Sequence, residues 1–386
     1  MAAPPRVARL LLTTSLAIGA AACGAGKEAT PTPITDAGAP VDPLSWDVTQ
    51  PGPYTCGHRV LEASYTPPGG LPARTIPVHV WYPSTSTDGD HPHYAGVFTD
   101  DHAYDDVPPA PSAFKGDYPV LLHSHGHQGF AGNSARLMCT FASQGWLAVA
   151  GEHVGDTLSD APPKMLLATY IQRPLDDRAA LDLVLALPGD DPLAGRADVA
   201  HVAMSAHSFG TYDAWVAAGV GFDEAAIRAS CTSGDTAACT EAQIGVFTST
   251  DLSEKRAQII VAMAGIERPF FGPTSSYAPR VPVLMMSGTL NPVHNDQIFA
   301  AVTKAADLTW VSVDGGCHQL FGLGNTQLGD PGCAVLQDEA GFALVNPWVL
   351  AYARYHVLAD RGAEVRGLVE GTTSLSPLVH VQHKGH

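Results

Sequence analysis

Positive charge is scarce in this 386-residue chain: 21 Lys and Arg stand against 38 Asp and Glu, for a formal net charge of -17. Phosphate recognition takes clustered Lys and Arg, so no nucleic-acid partner is expected. Long hydrophobic runs are also missing. No stretch offers the roughly 18 uninterrupted apolar residues that a membrane-spanning helix needs. No Cys-x-x-Cys pair points to a structural zinc. What is there is 45% hydrophobic and 8% aromatic, a composition that rules out a disordered or collagen-like chain and allows one large core.

The N-terminus has the three parts of a secretory signal. Arg6 and Arg9 precede an apolar run from Leu10 to Gly19, and Ala20, Ala21 and Ala22 lead to Cys23. Residues 1–22 are expected to be removed. Small residues before Cys23 resemble a bacterial lipobox, with Ala20 where Leu is usual, which implies a lipidated Cys23 as the one membrane attachment; ordinary cleavage near Ala22 satisfies the same pattern. The protein is thus expected at the cell envelope or secreted. Residues 23–52, rich in Pro, Thr, Ala and Gly, read as a flexible tether. The folded domain spans 53–386. Its six cysteines, an even number in an exported chain, predict disulfides. Short loops favour Cys231 with Cys239 and Cys317 with Cys333, leaving Cys56 for Cys139.

From Pro53 onward, apolar β-rich runs alternate with helical patterns. Strands are expected at 75–82, 118–123, 147–151, 199–205, 258–264, 281–286 and 308–313. Helices are expected at 133–144, 174–187, 209–218 and 295–306, with a last one over 334–359 broken at Asn346-Pro347. Near-continuous apolar strands separated by helices mean a mostly parallel sheet covered on both faces. Residues 219–256 interrupt this alternation and read as a small cap insertion.

The stretch from His201 to Thr211 reads strand, tight turn, helix start, with Ser208 at the apex and the small residues Ala206 and Gly210 two places either side. Such an elbow presents a serine hydroxyl above the open end of the sheet. A serine needs a base to take its proton. His318, in Asp314-Gly315-Gly316-Cys317-His318 just after the final expected strand, stands where that base is required.

With these residues the chain resembles the α/β-hydrolase superfamily. Further runs resemble its branch of platelet-activating-factor acetylhydrolases and dienelactone-hydrolase-like esterases: Arg74 to Pro83, Ser124 to His127, His153 to Thr157, Arg173 to Arg178 and His318 to Phe321. The resemblance implies an α/β-hydrolase fold with no cofactor and no catalytic metal. Ser208 would be the nucleophile and His318 the base, and the backbone N–H groups of His127 and Phe209 would form an oxyanion hole. The usual acid position holds Asn291 instead. The resembling acetylhydrolases take their acid one strand earlier, which points to Glu267, with Asp296 as a further candidate. An exported serine hydrolase acting on small-molecule, lipid or polymer esters is the expectation. Phe130, Trp146, Phe209, Phe270 and Phe271 suggest an apolar acyl pocket.

Two other readings compete. His123, His125 and His127 alternate as zinc ligands can on a strand, with His91, His93 and His102 upstream, although Gly126 ends the strand between them. A non-catalytic surface lipoprotein on a hydrolase scaffold would account for Asn291.

Overall fold

The computed structural model describes residues 42–265, 269–273, 276–291, 293–305, 307–327 and 331–385. The signal segment, Cys23 and most of the tether lie outside these residues, as does Glu267.

Ten strands form one sheet: β1 Thr55–Tyr65, β2 Arg74–Ser84, β3 Ala103–Asp105, β4 Tyr118–Ser124, β5 Leu147–Gly151, β6 Ala197–His207, β7 Ala257–Met263, β8 Val283–Gly288, β9 Asp307–Val313 and β10 Val379–Gly385. Their spatial order is β10-β9-β8-β7-β6-β4-β5-β2-β1-β3. Neighbours from β9 through β5 are parallel, while β2 joins β5 and β10 joins β9 antiparallel. Successive side chains divide between the two faces. On β4, Val120 and Leu122 enter the core beneath α2 (Leu167–Leu185) and α3 (Gly210–Ala217), and Leu121 enters the other core with α1 (Ala135–Ser143) and α7 (Asp338–Val357). Burial on both faces is why the parallel strands read as unbroken apolar runs.

The seven expected strands are all present, and the expected disulfides form: Cys56–Cys139, Cys231–Cys239 and Cys317–Cys333. None of the described helices is long and apolar enough to cross a membrane. Two prolines act otherwise than expected. α7 runs unbroken through Pro347. α2 starts seven residues before Pro174, which removes the helical donor for the Tyr170 carbonyl; the Tyr212 hydroxyl donates to that carbonyl at 2.8 Å instead. Residues 219–256 hold α4 (Glu224–Ser233) and α5 (Glu241–Ser249). These two helices pack on each other, on α2 and on the turn Pro269–Phe271.

Candidate active site

Ser208 follows β6 with φ +56°, in the left-handed region that a residue with a Cβ avoids. Its N–H donates to the Met263 carbonyl of β7 at 2.9 Å, and α3 begins at Gly210. The glycine is forced by a close crossing, since a Cβ on Gly210 would stand 2.3 Å from the Ser124 carbonyl oxygen. The loop after β4 passes as closely: a Cβ on Gly126 would stand 2.9 Å from Cβ of Ser208. His127 is the residue after Gly126, and Phe209 is the residue after Ser208.

His318 opens a short turn after β9. Asn325 fixes the approach to it, accepting from Cys317 N–H at 2.7 Å and donating to the carbonyls of Gly315, Cys333 and Leu336. The Cys317–Cys333 disulfide closes the same loop. The carbonyl of His318 accepts from Nε2 of the buried His207 at 2.9 Å. Held this way, His318 Nε2 lies 2.8 Å from Ser208 Oγ, and its Nδ1 lies 3.3 Å from Oδ1 of Asn291, in the turn after β8. Burial holds the His318 imidazole below its ordinary pKa, with no carboxylate offsetting it among the described residues. Asp296 sits exposed in the first turn of α6 (Asn295–Ala301) and makes no described contact with His318.

Below the site lies a cluster of charges that the sequence reading left unassigned. Arg173 is wholly buried, and its Nε donates to Asp213 at 2.9 Å and its Nη1 to Asp156 at 2.7 Å. Nη2 donates to the carbonyl of His125 and to Ser124 Oγ at 3.3 Å. Asp156 also accepts from His127 Nδ1. Asp177 is buried beside Asp213, with His153 Nε2 3.7 Å from its Oδ1. Burial, and then Asp213, push its carboxyl well above the usual range; burial raises Asp176 to about 7 and Asp213 to about 6. Ser124, His153 and Asp176 also line up, with Ser124 Oγ 2.9 Å from His153 Nε2 and Nδ1 3.1 Å from Asp176. All three are sealed from solvent, so this second serine–histidine–carboxylate chain belongs to the interior. One sequence signal for the cluster was legible: Asp213 stands in the otherwise apolar helix α3, where a charge needs a buried partner.

The three alternating histidines do not converge. His123 pairs with Ser205 Oγ at 2.8 Å, His125 Nδ1 with the Gly126 carbonyl at 2.8 Å, and His127 with Asp156. His91 pairs with the Ala103 carbonyl, His93 with Thr99 and His102 with Asp101. Among the described residues, His153, Asp177 and Asp213 do bring ligand-type atoms within 4.8 Å of one another. They lie against the Arg173 guanidinium, where a metal cation would meet a fixed positive charge. The expected aromatic pocket also needs correction. Trp146 packs edge-on against Phe141, and Phe270 and Phe271 are buried in the core with Tyr170 and Tyr212. Phe130 instead lines a cavity of about 380 Å³ of mixed character, with Val154 and Leu158 on one hand and His79, Glu152 and Asp160 on the other, next to the loop that carries His127.

The sheet, the strained elbow after β6 and the helices on both faces define an α/β-hydrolase fold. A structure with the same fold is the ferulic acid esterase from Streptomyces cinnamoneus, at a TM-score of 0.58 and 17% identity over 85% of this chain and 96% of that one. No protein-family model and no curated protein matches the sequence.

The buried carboxyls make stability depend on pH with a definite sign. A carboxyl raised in the folded state binds its proton there and releases it on unfolding, so stability is greatest at low pH and falls as pH rises from the unfolded value near 3.8 toward the folded one. Asp177→Asn, which cannot ionise, should melt close to the wild type at pH 4 and above it at pH 8. Melting curves that stay parallel over that range would contradict the assignment of a proton to Asp177.

Proposed function

We propose that the protein is a serine ester hydrolase. The observation that carries this is the single line Ser208 Oγ, His318 Nε2, His318 Nδ1, Asn291 Oδ1, with steps of 2.8 Å and 3.3 Å. In this reading Ser208 attacks the ester carbonyl as His318 takes its proton. The N–H groups of His127 and Phe209 hold the oxyanion, and His318 returns the proton to the leaving alcohol. Water then repeats the sequence on the acyl-enzyme. Asn291 takes the position of the acid. Its amide oxygen accepts Nδ1–H and so leaves the Nε2 lone pair facing the serine, which is the tautomer a base requires.

The substrate class we propose is an extracytoplasmic ester with an apolar acyl part. The export leader read in the sequence, the Phe130, Val154 and Leu158 side chains in the mixed cavity beside the His127 loop, and the fold shared with a ferulic acid esterase support it. The sequence runs that resemble the acetylhydrolase and dienelactone-hydrolase-like branch remain the basis for placing it there. The leader, with Cys23 as its anchor, remains a proposal on sequence grounds.

Ser208→Ala and His318→Ala should each abolish turnover of p-nitrophenyl acetate, and a phosphonate should label Ser208. Label found on another residue would refute the mechanism. In the wild type, kcat/KM should rise with pH through a midpoint below 6.5, because burial favours neutral His318. Asn291→Asp should move that midpoint upward and raise the plateau about tenfold or more, since a carboxylate stabilises the imidazolium. A large loss of kcat in Glu267→Gln, with no gain in Asn291→Asp, would return the role to Glu267.

The disulfide Cys317–Cys333 closes a loop of 16 residues around His318, a constraint of roughly 3 kcal/mol on the unfolded chain. Replacing both cysteines by serine should lower kcat at temperatures where circular dichroism still shows the native fold. Full activity up to the melting transition would count against a role in holding His318.

A further inference from the structure

We propose that Arg173 is a positioning residue for the oxyanion hole, a reading that rests on the serine-hydrolase mechanism above. Arg173 has no described contact with Ser208 or His318. It instead joins the two segments that carry the backbone donors. On the His127 side, Nη2 holds the carbonyl of His125, two residues before the donor. Nη1 holds one oxygen of Asp156 at 2.7 Å while the other oxygen takes His127 Nδ1. The Asp156 carbonyl accepts Gln128 N–H at 3.1 Å, so the donor residue is gripped through its side chain and through both flanks. On the Phe209 side, the guanidinium carbon stands 4.7 Å from the centroid of the Phe209 ring, and Nε holds Asp213 in the first turn of α3.

Stability alone does not account for this arrangement. A buried arginine with carboxylate partners can often be replaced by apolar residues without loss, because desolvation offsets the Coulomb attraction. What an apolar residue cannot supply is direction. The guanidinium is a rigid planar fork, and its donors here point at three elements at once: the loop after β4, the loop after β5 and the start of α3. The distance between the two backbone N–H groups is thereby set by one flat cation. Oxyanion stabilisation depends on donors within about 2.7–3.1 Å of where the charge develops, and losing one donor costs about 10²–10³ in kcat.

The test uses the full chain with Arg173→Lys, which keeps the charge but not the fork, and Asp156→Asn, which keeps the shape but not the charge. Two quantities are read on p-nitrophenyl acetate, kcat and KM, together with the affinity for a phenylboronic acid that forms a tetrahedral adduct on Ser208. Circular dichroism establishes the fold of each variant first. The expected result is a fall in kcat of about 10- to 100-fold with KM within about threefold of the wild type, and a matching fall in boronate affinity. A role in the fold alone would lower the melting temperature and leave these ratios in place. Folded variants that keep kcat within about threefold overturn the proposal, and so does failure of both variants to fold, which would assign Arg173 to the fold. A wild type that takes no phosphonate on Ser208 fails at the earlier step, and the two failures are thus told apart.

Discussion

One buried guanidinium sets the terms for everything around it. Arg173 lies under the loops after β4 and β5 and the start of α3, with Asp156 and Asp213 in direct contact. Taking an arginine out of water costs several kcal/mol, and its carboxylate partners offset this only if the geometry is good and the remaining hydrogen-bonding capacity is met. Here the fork is used at Nε, Nη1 and Nη2. The accounting does not extend to Asp177. A second charged carboxylate against Asp213 would be repelled, and so burial and that neighbour push the Asp177 carboxyl well above its usual range, toward the protonated form. The same field acts on the histidines: burial, then Arg173, keep His125 and His153 neutral, so they serve as hydrogen-bonding groups in the interior.

How much of this could be read in the sequence depended on whether the signal was local. The parallel strands could, because burial on both faces leaves a continuous apolar run whatever lies next to it. β1 and β10 could not. The run Thr55 to Tyr65 mixes His58, Arg59 and Glu62 with apolar residues, and Val379 to Gly385 is largely polar, as suits a strand with one antiparallel neighbour near the sheet's edge. The start of α2 was misplaced for a tertiary reason. Pro174 is a sound first-turn residue by local rules, and it sits inside the helix because a tyrosine from α3 satisfies the carbonyl it leaves free. Ser208 and His318 were legible because their neighbours must be small or tightly turned, and the chain records that as Ala206, Gly210, Gly315 and Gly316. Of the buried charges only Asp213, set in an apolar helix, carries a local signal; nothing near Arg173 or Asp156 in the sequence tells a buried ion pair from surface charges.

Asn291 is where the local and the structural readings meet. At the end of β8 it reads as a lost acid, and a lost acid suggests a lost activity. The geometry asks a narrower question, which is what a histidine base requires of its partner. One requirement is the tautomer, and an amide oxygen at Nδ1 meets it. The other is stabilisation of the imidazolium, and a neutral amide does not meet that. The amide also brings a cost of its own, since Nδ2 is buried with no described partner, and an unmet buried donor costs about 1–3 kcal/mol. A carboxylate at this position would carry no such donor, so among the described residues the packing gives no reason for the amide. What the amide changes for His318 is electrostatic. Burial, with no carboxylate offsetting it among the described residues, keeps its imidazole neutral at lower pH than usual. A base of that kind stays available in mildly acidic surroundings but pulls less strongly on the serine proton. Under the serine-hydrolase mechanism the burden then shifts to the oxyanion donors and to the ester itself, and the esters such a site serves best are those whose leaving group needs little protonation to depart.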